Sequence, residues 1–438
     1  MKRVLFLAVL TFGAALPLRA QADDPVEAAT DARAWWRDAG EALAAHDTAR
    51  ALTALDSASL VWPTQPAYPA ALVRLAVVAR RPEAAMRGAR RLLAIGLSLQ
   101  VSHPAEALLQ GVAGWAALAD SLRAAGAPLA RSTVFRTLDD TLFHPEGVAY
   151  DPATGRWFVS SIRERRVVAI DRAGVATPFV ASGQDGLDAA FGMVVDRRRG
   201  VLWVASTAVP EEEGYDSASA GRAGLFAFDL TTGRLAARVA LPPADSGDVI
   251  GRQVGDVALA PDGDLYASDP VGRAIYRVPA REIPAVVEIV TADLLLRSPQ
   301  GMAVAPDGRT MIVADYSHGL LRVDLRTRGV TYLAPPPGAT LLGIDGLALA
   351  TPGRLVAVQN GVTPARVVTI DLDRGWRRVV ALSVADRPEW EGEPTLGTVT
   401  GGRFYYVAGS VWDNYEDGHP LAAAHWPAPT LRELALPR

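Results

Sequence analysis

Glu146, Gln300 and Asp345 are the oxygen-bearing side chains whose setting in this chain invites chemistry. Each stands directly before a glycine that opens an apolar run, in the phrases Pro145-Glu146-Gly147-Val148, Pro299-Gln300-Gly301-Met302 and Ile344-Asp345-Gly346-Leu347. Three related phrases place Phe191, Gly255 and Leu396 at the same point. If the fold gathers these six positions, two carboxylates and a carboxamide meet. Like charges in one place repel and resist desolvation unless a positive charge joins them. Carboxylate and amide oxygens suit hard ions, so the expected cofactor is one divalent cation, Ca²⁺, Mg²⁺ or Mn²⁺. Glu146 and Asp345 are then the catalytic candidates, in chemistry where a cation polarises a carbonyl and activates water. The alternative is that both carboxylates hydrogen-bond backbone amides where strands begin.

A wider set of groups could line the same mouth and contact a small-molecule substrate or ligand: Asp256, Asp315, Asn360 and His144. His144 lies two residues before Glu146 and reads either as an acid or base or as a solvated turn histidine. Asp256 reads as a polar group beside the bare Gly255 or as a turn-starting carboxylate. No Gly-x-Ser-x-Gly elbow and no phosphate loop occurs, so serine hydrolysis and nucleotide binding have no support.

The elements that must position these groups are visible as a repeat. Taking Gly147, Gly192, Asp256, Gly301, Gly346 and Gly397 as equivalent gives steps of 45, 64, 45, 45 and 51 residues. That period, built from short strands and turns, predicts a six-bladed β-propeller over residues 131–438. Gly155, Gly263, Gly308 and Gly353 are expected in hairpin turns. An open ring would expose sheet edges, so Thr133–Leu138 is expected to complete the sixth blade. The long second step predicts a polar, mobile loop around Glu211–Ser219, lying over one face.

Before the propeller, residues 23–130 show helical spacing and few strand signals. Leu43–Ala49 is echoed by Val78–Ala84, 35 residues on, each with the look of a helix end, a tight turn and a new helix. The period predicts a small all-α domain like tetratricopeptide repeats, capped by one helix around Ala105–Ala124. This domain reads either as a docking groove for a protein partner or as an extension packed on the propeller. Ala125–Arg131 is the expected hinge. Lys2 and Arg3, an apolar run from Val4 to Leu16 and the small residues Ala20-Gln21-Ala22 predict a signal peptide over 1–22. The expected location is periplasmic or secreted, with a retained anchor as the alternative. The 438 residues carry a formal charge of −4 and no cysteine. Nucleic acid is therefore a poor partner and no disulfide is available. No later stretch is long enough for a membrane span.

The phrases His144-Pro145-Glu146-Gly147, Ser298–Gly308 and Ile344–Leu349 resemble the gluconolactonase, regucalcin (senescence marker protein) and luciferin-regenerating-enzyme group of six-bladed propellers. The resemblance spans roughly 140–410. It implies that Glu146, Gln300 and Asp345 hold a divalent ion that polarises a sugar lactone. The chain departs from the group at two positions. Gln300 is one methylene longer than the group's asparagine, and Gly255 replaces an asparagine that contacts substrate. Two functions therefore stand as expectations: a metal-dependent hydrolase of a lactone or ester, and a non-catalytic ligand- or protein-binding propeller with a helical docking domain.

Overall fold

The computed structural model describes residues 25–99, 103–241, 251–281, 288–291, 295–422 and 424–437. The signal-peptide reading of residues 1–22 falls outside them. Six four-stranded antiparallel sheets form the propeller. Their innermost strands are Pro145–Asp151, Ala189–Asp196, Val257–Leu259, Pro299–Val304, Leu347–Thr351 and Gly397–Thr400. The ring closes as the edge argument requires. Thr133–Thr137, from before the first repeat, pairs with Thr430–Ala435 as the outer strand of blade 6. Phe135 of this closing strand packs edge-on against Trp157 of blade 1 and Tyr405 of blade 6.

The repeated glycine has a packing reason. A Cβ at Gly147 would stand 2.6 Å from the Phe191 carbonyl oxygen of the next blade, and one at Gly301 2.5 Å from that of Asp345. Only a residue without a side chain lets consecutive inner strands approach this closely. Gly301 N donates to the Asp345 carbonyl (2.9 Å), Gly192 N to that of Gly255 (3.0 Å) and Leu396 N to that of Glu146 (3.3 Å). These blade-to-blade bonds fix the main chain beside each candidate side chain. The expected turn glycines 155, 263, 308 and 353 all take positive φ.

Among the described residues six helices precede the ring: α1 (Pro25–Ala44), α2 (Thr48–Val61), α3 (Ala67–Val78), α4 (Pro82–Ala94), α5 (His103–Leu109) and α6 (Trp115–Gly126). The echoed phrases are the α1–α2 and α3–α4 turns, where His46 and Arg80 both adopt left-handed φ. The single capping helix expected over 105–124 is instead two. Gly111 and Gly114, at φ of 82° and 79°, break it. Leu72, Ala76, Ala85, Leu109 and Leu122 form the core of the bundle.

The helices dock on loops of blades 4 and 5. Leu342 completes an apolar cluster with Ala29, Ala32, Ala58, Trp62 and Tyr68. Val362 does the same with Leu92, Ile95 and Leu97. The 125–131 segment is pinned rather than hinge-like. Leu129 and Arg387 exchange backbone hydrogen bonds, and Asp386 Oδ1 accepts from the amides of Arg131 and Ser132. The 209–222 loop of blade 2 is likewise tied down. Glu212 is buried and takes the Ala189 amide at 2.7 Å, and Asp188 pairs with Arg222.

Candidate functional site

Inner strands of a propeller start at one face, so the residue before each repeated small position projects into a shared mouth. A cavity of about 380 Å³ there is lined by Glu146, Phe191, Gly255, Gln300, Asp345 and Leu396, the six positions that the repeat aligns. Asn360 joins them, with Gln253, Tyr316, Glu393, Trp412 and Asp413. Phe191 and Leu396 form walls and do not plug the mouth, and the 209–223 loop stays outside it.

The carboxylates are held by neutral donors. Trp412 Nε1 donates to Glu146 Oε2 at 3.0 Å, with the Ser410 hydroxyl at 3.4 Å. Asn360 Nδ2 donates to Asp345 Oδ2 (2.9 Å) and to the Pro394 carbonyl (3.1 Å). Both amide hydrogens of Asn360 are thus engaged, which fixes the orientation of the group. Its Oδ1 is then buried without a donor. Gln300 Nε2 reaches the Ser298 hydroxyl at 3.4 Å.

The electrostatics follow from four carboxylates and, among the described residues, no Lys, Arg or His on the cavity wall. Burial, then Asp345 and Glu393, push the Glu146 carboxyl well above the usual range. Burial raises Asp345 to about 6, against the lowering bond from Asn360. Burial, Asp345 and Asp413 raise Glu393 to about 8. Removing charge from water in this way disfavours the ionised forms, and a cation would reverse the shift. Among the described residues no three His, Asp or Glu side chains stand close enough to hold an ion by themselves. The amide oxygens of Gln300 and Asn360, with water, would complete the shell. The donor set is all oxygen and fits a hard divalent cation.

The two departures from the resembled group occupy one space. A Cβ at Gly255 would lie 3.3 Å from Gln300 Oε1, so the longer amide extends over the bare glycine. Tyr316 and two glycines hold the loops that carry Asp345 and Asn360. Gly343 N donates to the Tyr316 carbonyl and Gly361 N to the Gly343 carbonyl.

Three candidates sit elsewhere. Asp315 is fully buried at the end of its strand, where its oxygens accept the amides of Arg297, Ser298, Ser317 and His318; it is a loop organiser outside the cavity. Asp256 lies below the mouth, against Gly192 and facing the lower channel; its Oδ1 accepts the Val257 amide and burial raises it to about 7. His144 is fully buried behind the site, not solvated, and packs on Trp412 and Tyr415. Neither of its ring nitrogens has a hydrogen-bond partner among the described residues, and burial followed by Arg163 lowers its pKa to about 3. It supports the indole that holds Glu146.

Sequence reasoning missed Glu393, Trp412, Asp413, Tyr316 and Gln253. All lie in connecting loops outside the repeated phrase. Only Tyr316 had a cue, since it follows its blade's second strand as Asn360 does in blade 5.

No protein-family model and no curated protein matches the chain. Solved structures do resemble it, and they include members of the group that the sequence phrases resemble. The calcium-binding protein regucalcin from Agrobacterium tumefaciens is 21% identical, with 71% of this chain and 97% of that one covered and a TM-score of 0.47. A gluconolactonase from Xanthomonas campestris is 17% identical, over 70% and 94%, with a TM-score of 0.44. Virginiamycin B lyase from Staphylococcus aureus is 11% identical, over 69% and 98%, with a TM-score of 0.46.

Proposed function

We propose that this chain is an exported, divalent-cation-dependent hydrolase acting on a lactone or related ester. One observation carries the reading. The buried Oδ1 of Asn360 has no donor among the described residues and lies in a cavity with Glu146 and Asp345, where none of the described side chains supplies positive charge. A cation would satisfy that oxygen and both carboxylates together. Export rests on the sequence of residues 1–22.

When bound, the cation polarises the ester carbonyl and lowers the pKa of water. Glu146, held by Trp412, and Asp345, held by Asn360, fix the geometry of the site. Glu393 makes no hydrogen bond through its carboxyl among the described residues, and burial, with the charges of Asp345 and Asp413, lets it hold a proton more readily than an ordinary carboxyl. Hydrolysis adds water to the carbonyl carbon and breaks the acyl C–O bond. Glu393 is suited to give its proton to the departing alkoxide, and the proton released from water restores it. Phe191, Leu396 and Trp412 supply apolar surface to the cavity wall.

The test is elemental analysis of protein purified without chelator, beside the Glu146→Gln/Asp345→Asn variant. One tightly held Ca²⁺, Mn²⁺ or Mg²⁺, lost in the variant, together with chelator-sensitive cleavage in a lactone and ester panel, supports the proposal. Absence of any ion in both proteins, with no thermal shift on adding Ca²⁺ or Mn²⁺, overturns it. A second reading, partner binding by the helical region, is favoured by Trp35 and Trp36 of α1, which are 40% and 43% exposed.

A further inference from the structure

The cleft between the helices and blade 5 contains a charge that no described group matches. Arg366 begins the third strand of that blade and is only 2% exposed. Its Nε donates to Gln359 Oε1 (2.7 Å) and its Nη1 to the Gly96 carbonyl (2.8 Å), while Nη2 is buried without an acceptor. No carboxylate among the described residues forms an ion pair with it. Burial, and then the like charge of Arg387, pull its pKa down to about 10. A guanidinium offers five N–H donors in a planar fork, and neutral oxygens meet only part of that set here. A buried cation without a counter-charge is unfavourable until an anion joins it.

Arg366 also belongs to the wall of a cavity of about 420 Å³. The remaining wall is chiefly apolar, with Ile95 from the helical region, Pro336 and Pro337 from the blade 4–5 connection, and Leu382 and Val384 from the outer strand. Among the described residues no acidic one lines it. A space of this size suits a small ligand with an apolar body and one charged end. A phosphate or sulfate would want several donors, whereas a carboxylate matches one guanidinium edge.

We propose that this cleft binds a small amphipathic carboxylate, its oxyanion paired with Arg366 and its aliphatic body against Ile95, Pro337 and Leu382. The site is separate from the acidic cavity and stands whether or not that cavity hydrolyses anything. It joins the helical region to blade 5, so its occupant would strengthen the seam at Gly96.

Titration calorimetry of the full chain with octanoate, and with octan-1-ol as the uncharged analogue, tests the idea. Octanoate is expected to bind one to one, at least tenfold more tightly than octanol. Arg366→Gln is expected to erase that preference. Arg366 also holds Gly96, so Leu382→Trp is the companion variant; it fills the cavity from a half-exposed strand and leaves the Arg366 bonds in place. It is expected to lose octanoate binding while keeping the wild-type melting temperature. No octanoate binding by wild type, equal binding of octanol, or unchanged binding in folded Leu382→Trp would each overturn the proposal.

Discussion

A side chain at position 255 would have to share space with the amide of Gln300, whose Oε1 lies 3.3 Å from where the Cβ would be. Gly255→Asn should therefore push Gln300 out of the cavity and weaken Ca²⁺ binding by about tenfold, roughly the loss of one ligand contact. Adding Gln300→Asn should recover most of that affinity, which a double-mutant cycle by calorimetry reads directly. The charged residues give a second prediction. Asp345 and Glu146 have folded pKa values raised above their unfolded ones. Their contribution is fully present below the unfolded pKa, near 4, and is lost as pH rises through the folded values. For Asp345, raised to about 6, the loss is at most about 3 kcal/mol. The ion-free protein should thus melt progressively lower between pH 4 and pH 8. Saturating Ca²⁺, or Glu146→Gln/Asp345→Asn, should make the trend shallower, the remainder belonging to Asp256 and Glu393, raised to about 7 and about 8; a melting temperature independent of pH in chelated wild type would contradict it.

Among the elements, the seam between α1 and blade 4 turns on His318. Arg33 Nη2 lies 2.8 Å from His318 Nε2, and the other ring nitrogen lies 2.6 Å from the Leu295 carbonyl. Arginine only donates, so Nε2 accepts and the Nδ1–H is given to the carbonyl. The ring is neutral, and burial lowers its pKa. Arg33 and Arg297 oppose its protonation while Asp315 and the Leu295 carbonyl favour it. A lowered histidine contributes stability above its unfolded pKa, near 6.5, and loses it as pH falls toward the folded value. Hydrogen exchange in α1, corrected for intrinsic rate, should rise between pH 7.5 and 5.5, and His318→Phe should abolish that difference. This clamp was not legible in the sequence, because His318 follows a strand end and nothing in its neighbourhood names a helix 285 residues away. The blades were legible because four of the inner strands repeat one packing problem: a glycine (147, 192, 301 or 346) beneath a carbonyl of the next blade. The six mouth positions came with that register. Trp412 and Glu393 did not, since loops obey no period and only tertiary placement brings them to Glu146.

Across the whole molecule, the site depends on closure, because its donors come from both sides of the seam between the first and last blades. Glu146 belongs to blade 1, yet the Thr395 hydroxyl and the Leu396 amide of blade 6 hold its carbonyl, and Trp412 and Ser410 hold its carboxylate. The same seam is stapled on its outer side by Phe135, between Trp157 and Tyr405. Truncating that ring should destabilise the protein by about 2 kcal/mol and let blade 6 open locally more often. Cation affinity should then fall with stability, although Phe135 is remote from the cavity wall. Leu72→Ala, which empties a fully buried position in the helical core, should cost at least as much stability but leave the seam closed. The comparison is Ca²⁺ affinity by calorimetry at a temperature where both variants are more than nine-tenths folded. A selective loss in Phe135→Ala would show that the ring, not the local loops, sets the ligand geometry. Equal affinities in the two variants would place that control in the 393–413 loops alone.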